Sequence, residues 1–151
     1  MYKRQLRDES LNDFNADSIT EQFNVNALAP IAFTQALLPS LTAGSKVSFI
    51  TSRMGSVTDN TSGGRYGYRM SKAALNIGAV SLAKDLAVEQ IAVGIYHPGY
   101  VQTDMVNKLG STSNGDISAD VSAQRLITLM DTMTMKETGV FKHSNGETLA
   151  W

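Results

Sequence analysis

The chain has 151 residues, of which 42% are hydrophobic and 18% are charged, as in an ordinary globular domain. Its net charge of −1 gives no basic surface for nucleic acid or an anionic membrane. The absence of cysteine excludes disulfides, thiolate catalysis and cysteine-ligated metal sites, and the two histidines have no metal-binding spacing. No apolar run reaches the roughly 20 residues that span a bilayer. We therefore expect a cytoplasmic domain that binds neither nucleic acid nor membranes and holds no metal.

The N-terminal third is predicted to contain one long apolar helix. Residues 1–17 are polar and weakly patterned, and we interpret them as a lead-in. Ser18 and Glu21 have the spacing of a capping box, which predicts a helix start. The residues from Ile19 to Leu38 then place apolar side chains on nearly every face. A helix that is apolar all round is buried on both sides, so it should pack on a sheet and on a second surface such as a partner subunit.

The remainder of the chain alternates between strand and helix patterns. β-branched and aromatic runs predict strands at 46–51, 91–96 and 139–142, and longer Ala- and Leu-rich or amphipathic runs predict helices at 68–89 and 119–133. Strands that alternate with helices indicate an α/β fold with a parallel sheet. About three strands are few for a doubly wound sheet, so one edge of the sheet should be open.

Tyr68 and Lys72 lie four residues apart within a predicted helix and therefore share one face. A tyrosine phenol has an ordinary pKa of about 10, and an ammonium held nearby lowers that pKa because it favours the phenolate. Such a pair can transfer protons at neutral pH. A tyrosine and a lysine at this spacing are also common on helix surfaces, so the pair alone leaves both interpretations open.

Two consecutive strand ends carry further candidate residues. Ser52 follows the first predicted strand, and Pro98-Gly99 follows the second, with Thr103 four residues beyond Gly99. Open α/β sheets bind their ligands at the carboxyl ends of the strands. Each feature alone is explained by a strand end or a turn. Together they predict one crevice that the Tyr68 helix also borders.

Four motifs follow one another along the chain: Phe23-Asn24-Val25-Asn26, Thr51-Ser52-Arg53-Met54-Gly55, Tyr68-Arg69-Met70-Ser71-Lys72, and His97-Pro98-Gly99-Tyr100-Val101-Gln102-Thr103-Asp104-Met105. This ordered set resembles the short-chain dehydrogenase/reductase family, from about residue 13 to the C-terminus. The runs at 51–56, 59–64 and 145–151 look most like the Sniffer-like carbonyl reductases of that family. The fold that the resemblance implies is a partial Rossmann-like, doubly wound sheet.

The resemblance also implies a role for each member of an Asn-Ser-Tyr-Lys tetrad. Tyr68 would exchange a proton with the substrate, and Lys72 would hold the nicotinamide ribose and lower the Tyr68 pKa. Ser52 would hydrogen-bond the reacting oxygen, and Asn26 would hold a proton-relay water. The implied cofactor is NADP, with NAD as the alternative. Besides Tyr68 and Lys72, its implied contacts are Pro98, Gly99, Val101 and Thr103.

Pro30 lies four residues after Asn26 and has no amide hydrogen to donate to the Asn26 carbonyl. One hypothesis is that Pro30 leaves this carbonyl free for the relay water and kinks the helix. The alternative is a helix boundary at Ala29.

The glycine-rich turn of the family is missing from the sequence. None of the 12 glycines lies two positions from another, so neither family pattern for cradling a pyrophosphate occurs. Residues 18–151 would then be the catalytic part of a domain whose N-terminal half is absent. Two explanations stay open: a truncated product with a non-native start in residues 1–17, or a real short form that has lost dinucleotide binding.

The leading functional hypothesis is NAD(P)(H)-dependent reduction of a small carbonyl, or oxidation of an alcohol, by a chain that truncation could leave inactive. The alternative is a non-catalytic remnant that forms a homodimer or homotetramer through helices 19–38 and 68–88, with aggregation as a third outcome. His97 is expected to pack beside the site, His143 to lie on the surface, and Met105 to touch substrate. Arg53 and Asp104 are either surface ion-pairing groups or substrate contacts.

Overall fold

The computed structural model describes residues 10–103 and 116–151. The N-terminal helices Ala16–Phe23 (α1) and Ala29–Leu37 (α2) are joined by a π-helical turn, Asn24–Leu28. Strands and helices then alternate: Lys46–Ile50 (β1), Tyr66–Leu86 (α3), Ala92–His97 (β2), Ala119–Thr132 (α4) and Phe141–His143 (β3).

The three strands form one parallel sheet in the order β1-β2-β3. The register places Phe49 of β1 beside Ile95 of β2, and Ile95 beside Phe141 of β3. These three positions are buried because they face the helix layer beneath them. The structure thus confirms the predicted α/β fold, with about three parallel strands and flanking helices.

The main hydrophobic core lies between the sheet and α3. Ala79 and Ala83 of α3 are fully buried, and their small side chains let the helix approach the strands closely. A second cluster on the opposite face joins Tyr96 of β2 to Leu126 and Met133 near α4. Helices therefore cover both faces of the sheet, as the near-continuous apolar sequence of β2 requires.

The predicted capping box at Ser18 is wrong, because α1 begins earlier, at Ala16. The Asn15 side chain caps the helix and accepts a hydrogen bond from the Ser18 amide at 2.8 Å. Asn and Ser both favour the cap position, so spacing alone did not identify which residue takes it. Ser18 instead lies buried in the first turn.

Within the single chain only one side of the predicted apolar helix is buried, and its packing on a second surface such as a partner subunit stays a prediction. Ala27 is buried in the core with α3, and Ile19 is buried as well, but the opposite face of α1 and α2 is open. Phe33 is 67% exposed, and Val25 and Leu28 are more than half exposed.

Among the described residues, no helix is both long and apolar enough to cross a membrane.

The backbone around Pro30 stays helical but changes its hydrogen-bond spacing. The Ala29 amide donates to the Asn24 carbonyl, five residues back, which defines the π-helical turn. Leu28 and Ala29 both keep right-handed helical angles, so the chain does not leave the helix at Ala29. A π-helical turn of this kind often marks a functional position. That the Asn26 carbonyl is free to hold a water stays a prediction.

Candidate active site

A cavity of about 630 Å³ opens at the carboxyl ends of β1 and β2, beside the start of α3. This is where an open parallel sheet forms its ligand crevice. The cavity is lined by Ile50, Thr51, Ser52, Arg53, Met54, Asp59, Arg65, Tyr68, Arg69, Lys72, His97, Pro98, Gly99, Tyr100, Val101 and Thr103. It therefore brings together every predicted site residue except Asn26.

Ser52 leaves β1 in extended conformation and starts a 3-10 turn, Arg53–Gly55. Its hydroxyl accepts a hydrogen bond from the Met54 amide at 3.1 Å, which fixes the direction of the side chain. The Ser52 hydroxyl also lies close enough to the Tyr68 phenol to lower the pKa of that phenol. Two hydroxyls from different elements thus meet in the cavity wall, where both can contact one oxygen atom of a ligand.

Tyr68 and Lys72 lie in the first two turns of α3, on the face that borders the cavity. The Lys72 ammonium lies 5.7 Å from the centre of the Tyr68 ring, within range of a cation–π contact. It also donates to the Ile50 carbonyl at 3.5 Å, at the end of β1. The predicted shared face is therefore correct, and Lys72 bridges the tyrosine and the strand.

The expected lowering of the Tyr68 pKa is wrong. Burial raises the Tyr68 pKa above its usual value, and this effect outweighs the nearby Ser52 hydroxyl and the Arg65 charge, which both lower it. Burial also lowers the Lys72 pKa, to about 8, because the ammonium is partly removed from water. Lys72 is consequently a weaker cation than a surface lysine.

Asn26 lies behind the helix that carries the tyrosine and lysine. Its side-chain amide donates to the Ser71 hydroxyl at 3.1 Å, and Ser71 in turn donates to the Tyr68 carbonyl at 2.8 Å. Both Asn26 and Ser71 are buried. The asparagine predicted from the family resemblance thus contacts α3 between Tyr68 and Lys72, although it does not line the cavity itself.

The opposite wall of the cavity follows β2. Gly99 has a φ of +93°, a conformation that glycine adopts without strain. The Pro98 carbonyl accepts a hydrogen bond from Ser122 of α4 at 2.7 Å, and Val101 forms a β-bridge with Ile117. These contacts fix the wall that was predicted to meet the nicotinamide. Met105 and Asp104 lie outside the described residues.

His97 and His143 form a contact that the sequence did not predict. Their ring centres are 5.1 Å apart in an edge-to-face arrangement, because β2 and β3 place the two residues side by side. His143 is only partly exposed and is therefore not the surface group that was expected. Burial, then the charges of His143 and Arg53, lower the His97 pKa to about 4. His97 packs beside the site, as expected.

The segment between Ser52 and Tyr68 is held by two arginines. Arg53 pairs with Asp59 at 2.7 Å, so within the described chain it is an ion-pairing group. Arg69, next to Tyr68, donates to the carbonyls of Gly63 and Gly64 at 3.3 and 3.2 Å and to the Ser62 hydroxyl at 2.9 Å. The planar guanidinium suits such multiple contacts. No sequence signal distinguished Arg69 from a surface arginine.

The residues present fit the nicotinamide end of a dinucleotide. The cavity has the volume of an ordinary small-molecule site, with Lys72 as a cation on one wall and the side-chain-free Gly99 on the other. The described residues contain no group of three side chains that could hold a metal ion.

Comparisons with known proteins give a consistent result. The sequence model of the short chain dehydrogenase family matches residues 5–114. A 1-hydroxy-2-glutathionyl-2-methyl-3-butene dehydrogenase of Rhodococcus sp. is 37% identical over 95% of this chain, and C-signal of Myxococcus xanthus is 37% identical over 94%. The chain spans 63% of the length of the first relative and 84% of the second.

Solved structures agree with the sequence relatives. The carbonyl reductase Sniffer of D. melanogaster has a TM-score of 0.85 and 26% identity, with 99% of this chain and 68% of that chain covered. An NADPH-bound carbonyl reductase from chicken fatty liver has a TM-score of 0.86 and 27% identity, with 97% and 62% covered. The similarity to Sniffer-like carbonyl reductases agrees with the sequence motifs. The chain belongs to the short-chain dehydrogenase family.

Proposed function

We propose that this chain carries the proton-transfer site of an NADP(H)-dependent oxidoreductase that reduces a small carbonyl or oxidises the corresponding alcohol. The observation that carries the proposal is the meeting of Ser52, Tyr68 and Lys72 in one cavity at the carboxyl ends of parallel strands. The family supports the same reaction class, because its members transfer hydride between a nicotinamide and a carbon–oxygen bond.

Each hydroxyl has a distinct part in the proposed reaction. The Tyr68 phenol, whose pKa is raised by burial, is protonated at neutral pH and donates its proton to the carbonyl oxygen of the substrate. Ser52, held by the Met54 amide, donates a hydrogen bond to the same oxygen as negative charge develops there. A nicotinamide held by these residues would supply the hydride that the carbonyl carbon accepts.

Lys72 binds the ribose hydroxyls in this proposal and places a positive charge next to the phenol. Because its pKa is about 8, most of the side chain is protonated at pH 7, and that charge stabilises a phenolate after proton transfer. Asn26 fixes the turn of α3 that carries both residues, through Ser71. A water held at the Asn26 carbonyl would return a proton towards Lys72.

NADP is the proposed cofactor, and NAD is the alternative. The chicken liver reductase, at 27% identity, is an NADPH-bound structure, which supports NADP. The residues of this chain that would hold the nicotinamide and its ribose are Tyr68, Lys72, Pro98, Gly99, Val101 and Thr103. The described residues contain no glycine-rich pyrophosphate cradle, so these residues account only for the nicotinamide end of the cofactor.

The oxidation of NADPH in the presence of a simple quinone or aldehyde tests the proposal. Tyr68→Phe removes only the phenol oxygen and should lower kcat/KM by about 10²- to 10⁴-fold. Tyr66→Phe is the matched control, because Tyr66 lies two residues away on α3 and does not line the cavity. Equal turnover by wild type and Tyr68→Phe would reject the proposed role of Tyr68.

A specific observation supports a second candidate function, a non-catalytic dimerisation module. Phe33 of α2 and Ile77 of α3 are 67% and 65% exposed, and Met70 is 52% exposed. Such apolar surface is typical of an interface between copies of a chain. Light scattering after gel filtration tests this: a dimer that Ile77→Glu dissociates supports the module. A monomeric wild type would reject it.

A further inference from the structure

The end of β1 is joined to α3 by one short, buried hydrogen bond. Thr51, the residue between β1 and Ser52, donates from its hydroxyl to the side-chain oxygen of Asn76 at 2.7 Å. Thr51 and Asn76 are each 3% exposed, and they lie 25 residues apart in sequence. Water cannot substitute for either partner at such a buried position, so this bond fixes the strand end relative to the helix.

Gly55, in the turn that follows Ser52, makes a further close contact with α3. A Cβ atom at Gly55 would lie 2.7 Å from the Lys72 carbonyl carbon and 2.9 Å from the Asn76 side-chain nitrogen. The backbone of the turn Arg53–Gly55 therefore lies directly on the backbone of α3, with no side chain between them. Ser52 is thus held on both of its flanks, by Thr51 before it and by Gly55 after it.

The side-chain oxygen of Asn76, and not its nitrogen, makes the contact with Thr51. Its Nδ2 atom is buried and has no hydrogen-bond partner among the described residues, which is an unfavourable arrangement for a donor. The oxygen, by contrast, makes the 2.7 Å bond with Thr51. Asn76 also lies one helical turn beyond Lys72 and two turns beyond Tyr68, on the same side of α3.

We propose that Asn76 is a positioning residue that, through Thr51, sets the distance between the Ser52 hydroxyl and the Tyr68 phenol. The inference rests on the proposed function, because the two hydroxyls matter only if they share a substrate oxygen. The nearby Ser52 hydroxyl lowers the Tyr68 pKa. Loss of the Thr51–Asn76 bond should therefore displace Ser52 and raise the Tyr68 pKa further.

Thr51→Val tests this inference, because it removes the hydroxyl and keeps the side-chain shape. The readout is the ¹³Cζ resonance of labelled Tyr68, assigned with Tyr68→Phe and followed from pH 7 upward. We expect Thr51→Val to shift this resonance in the same direction as Ser52→Ala and to move its titration to higher pH. In an active chain, kcat should fall about tenfold while the KM for NADPH changes less than twofold.

Two variants separate positioning from general loss of stability. Thr34→Val removes another buried threonine hydroxyl, one that donates to the Pro30 carbonyl far from Ser52, and should leave the Tyr68 resonance unchanged. Thr51→Ser keeps the donor and should also preserve the wild-type resonance. If Thr51→Val does not fold, Asn76→Leu breaks the same bond from the other side.

A Tyr68 resonance in Thr51→Val that overlays the wild-type resonance would overturn the inference. The spectrum requires no turnover, so a chain without NADPH oxidation would reject the proposed function and leave the positioning measurement interpretable.

Discussion

At the β3 edge of the sheet the C-terminal residues add an antiparallel segment, whereas at the β1 edge no described residue pairs with the strand. The His143 amide donates to the Glu147 carbonyl at 2.8 Å, and the Leu149 amide donates to the Phe141 carbonyl at 2.9 Å. Trp151 stacks on Phe141 with ring centres 5.2 Å apart. On the other side of the sheet, β1 pairs with β2 alone within residues 10–103 and 116–151.

This difference explains why α3 is so important for the candidate site. Ser52 directly follows β1, the strand that has only one neighbour in the described sheet. The position of Ser52 therefore depends on contacts with α3. Thr51 donates a hydrogen bond to Asn76, Lys72 donates one to the Ile50 carbonyl, and Gly55 packs on the α3 backbone. On the β2 side, two flanking strands and Ser122 hold the Pro98–Gly99 corner.

The largest expected difference in stability is between side-chain substitutions to alanine at the two edges of the sheet. Leu149 is 4% exposed and belongs to the main core, so Leu149→Ala should lower the free energy of unfolding by about 2–5 kcal/mol. Ile50 at the β1 edge is 44% exposed, and Ile50→Ala should cost less than about 1 kcal/mol. Urea denaturation measures both. Equal losses would mean that the β1 edge is as closely packed as the β3 edge.

A side chain introduced at Gly55 should have the next largest effect on stability. Gly55→Ala places a methyl group against the backbone of α3 and should destabilise the fold by about 1–3 kcal/mol. Gly78→Ala, within α3 itself, is the control, because its methyl group would meet only the flexible Ile31 side chain at 3.1 Å. The difference in Tm between the two variants is the measurement. If Gly55→Ala were as stable as Gly78→Ala, the turn would not depend on its close packing with α3.

The smallest expected effect is a pH dependence of stability that arises from the protonation of Lys72. Its pKa is about 8 in the fold and 10.5 in its ordinary state, so between these values the unfolded chain binds more protons than the folded chain. The contribution of Lys72 to the free energy of unfolding therefore rises as the pH increases from 8 towards 10.5. The Tm of wild type should rise relative to that of Lys72→Met over pH 8–10. Parallel curves for the two proteins would show that Lys72 is not desolvated.

The sequence predicted the elements and the site better than it predicted individual contacts. The strands, α3 and the cavity residues followed from periodicity and from the ordered motifs around Ser52, Tyr68 and Pro98, because these signals are local. The cap at Asn15 was missed because several neighbouring residues suit a cap position. The direction of the Tyr68 pKa was missed because burial depends on packing between distant segments.

The contacts of Arg69 and of the histidine pair were missed for a related reason. Arg69 reaches three consecutive residues of a preceding loop, Ser62–Gly64, whose path no sequence pattern defines. His97 and His143 meet only because β2 and β3 align in one register. Such contacts depend on tertiary structure and leave no periodic signal in the chain.

The central claim is that Tyr68 supplies the proton in a hydride-transfer reaction. Its most direct test is the transfer of deuterium from NADPH deuterated at the reactive C4 position to a simple aldehyde, followed by mass spectrometry of the alcohol. The proposed function predicts an alcohol with one deuterium on the carbinol carbon when wild type is used. Tyr68→Phe should form this product at least about 10²-fold more slowly. No deuterated alcohol from wild type, or equal amounts from both proteins, would contradict it.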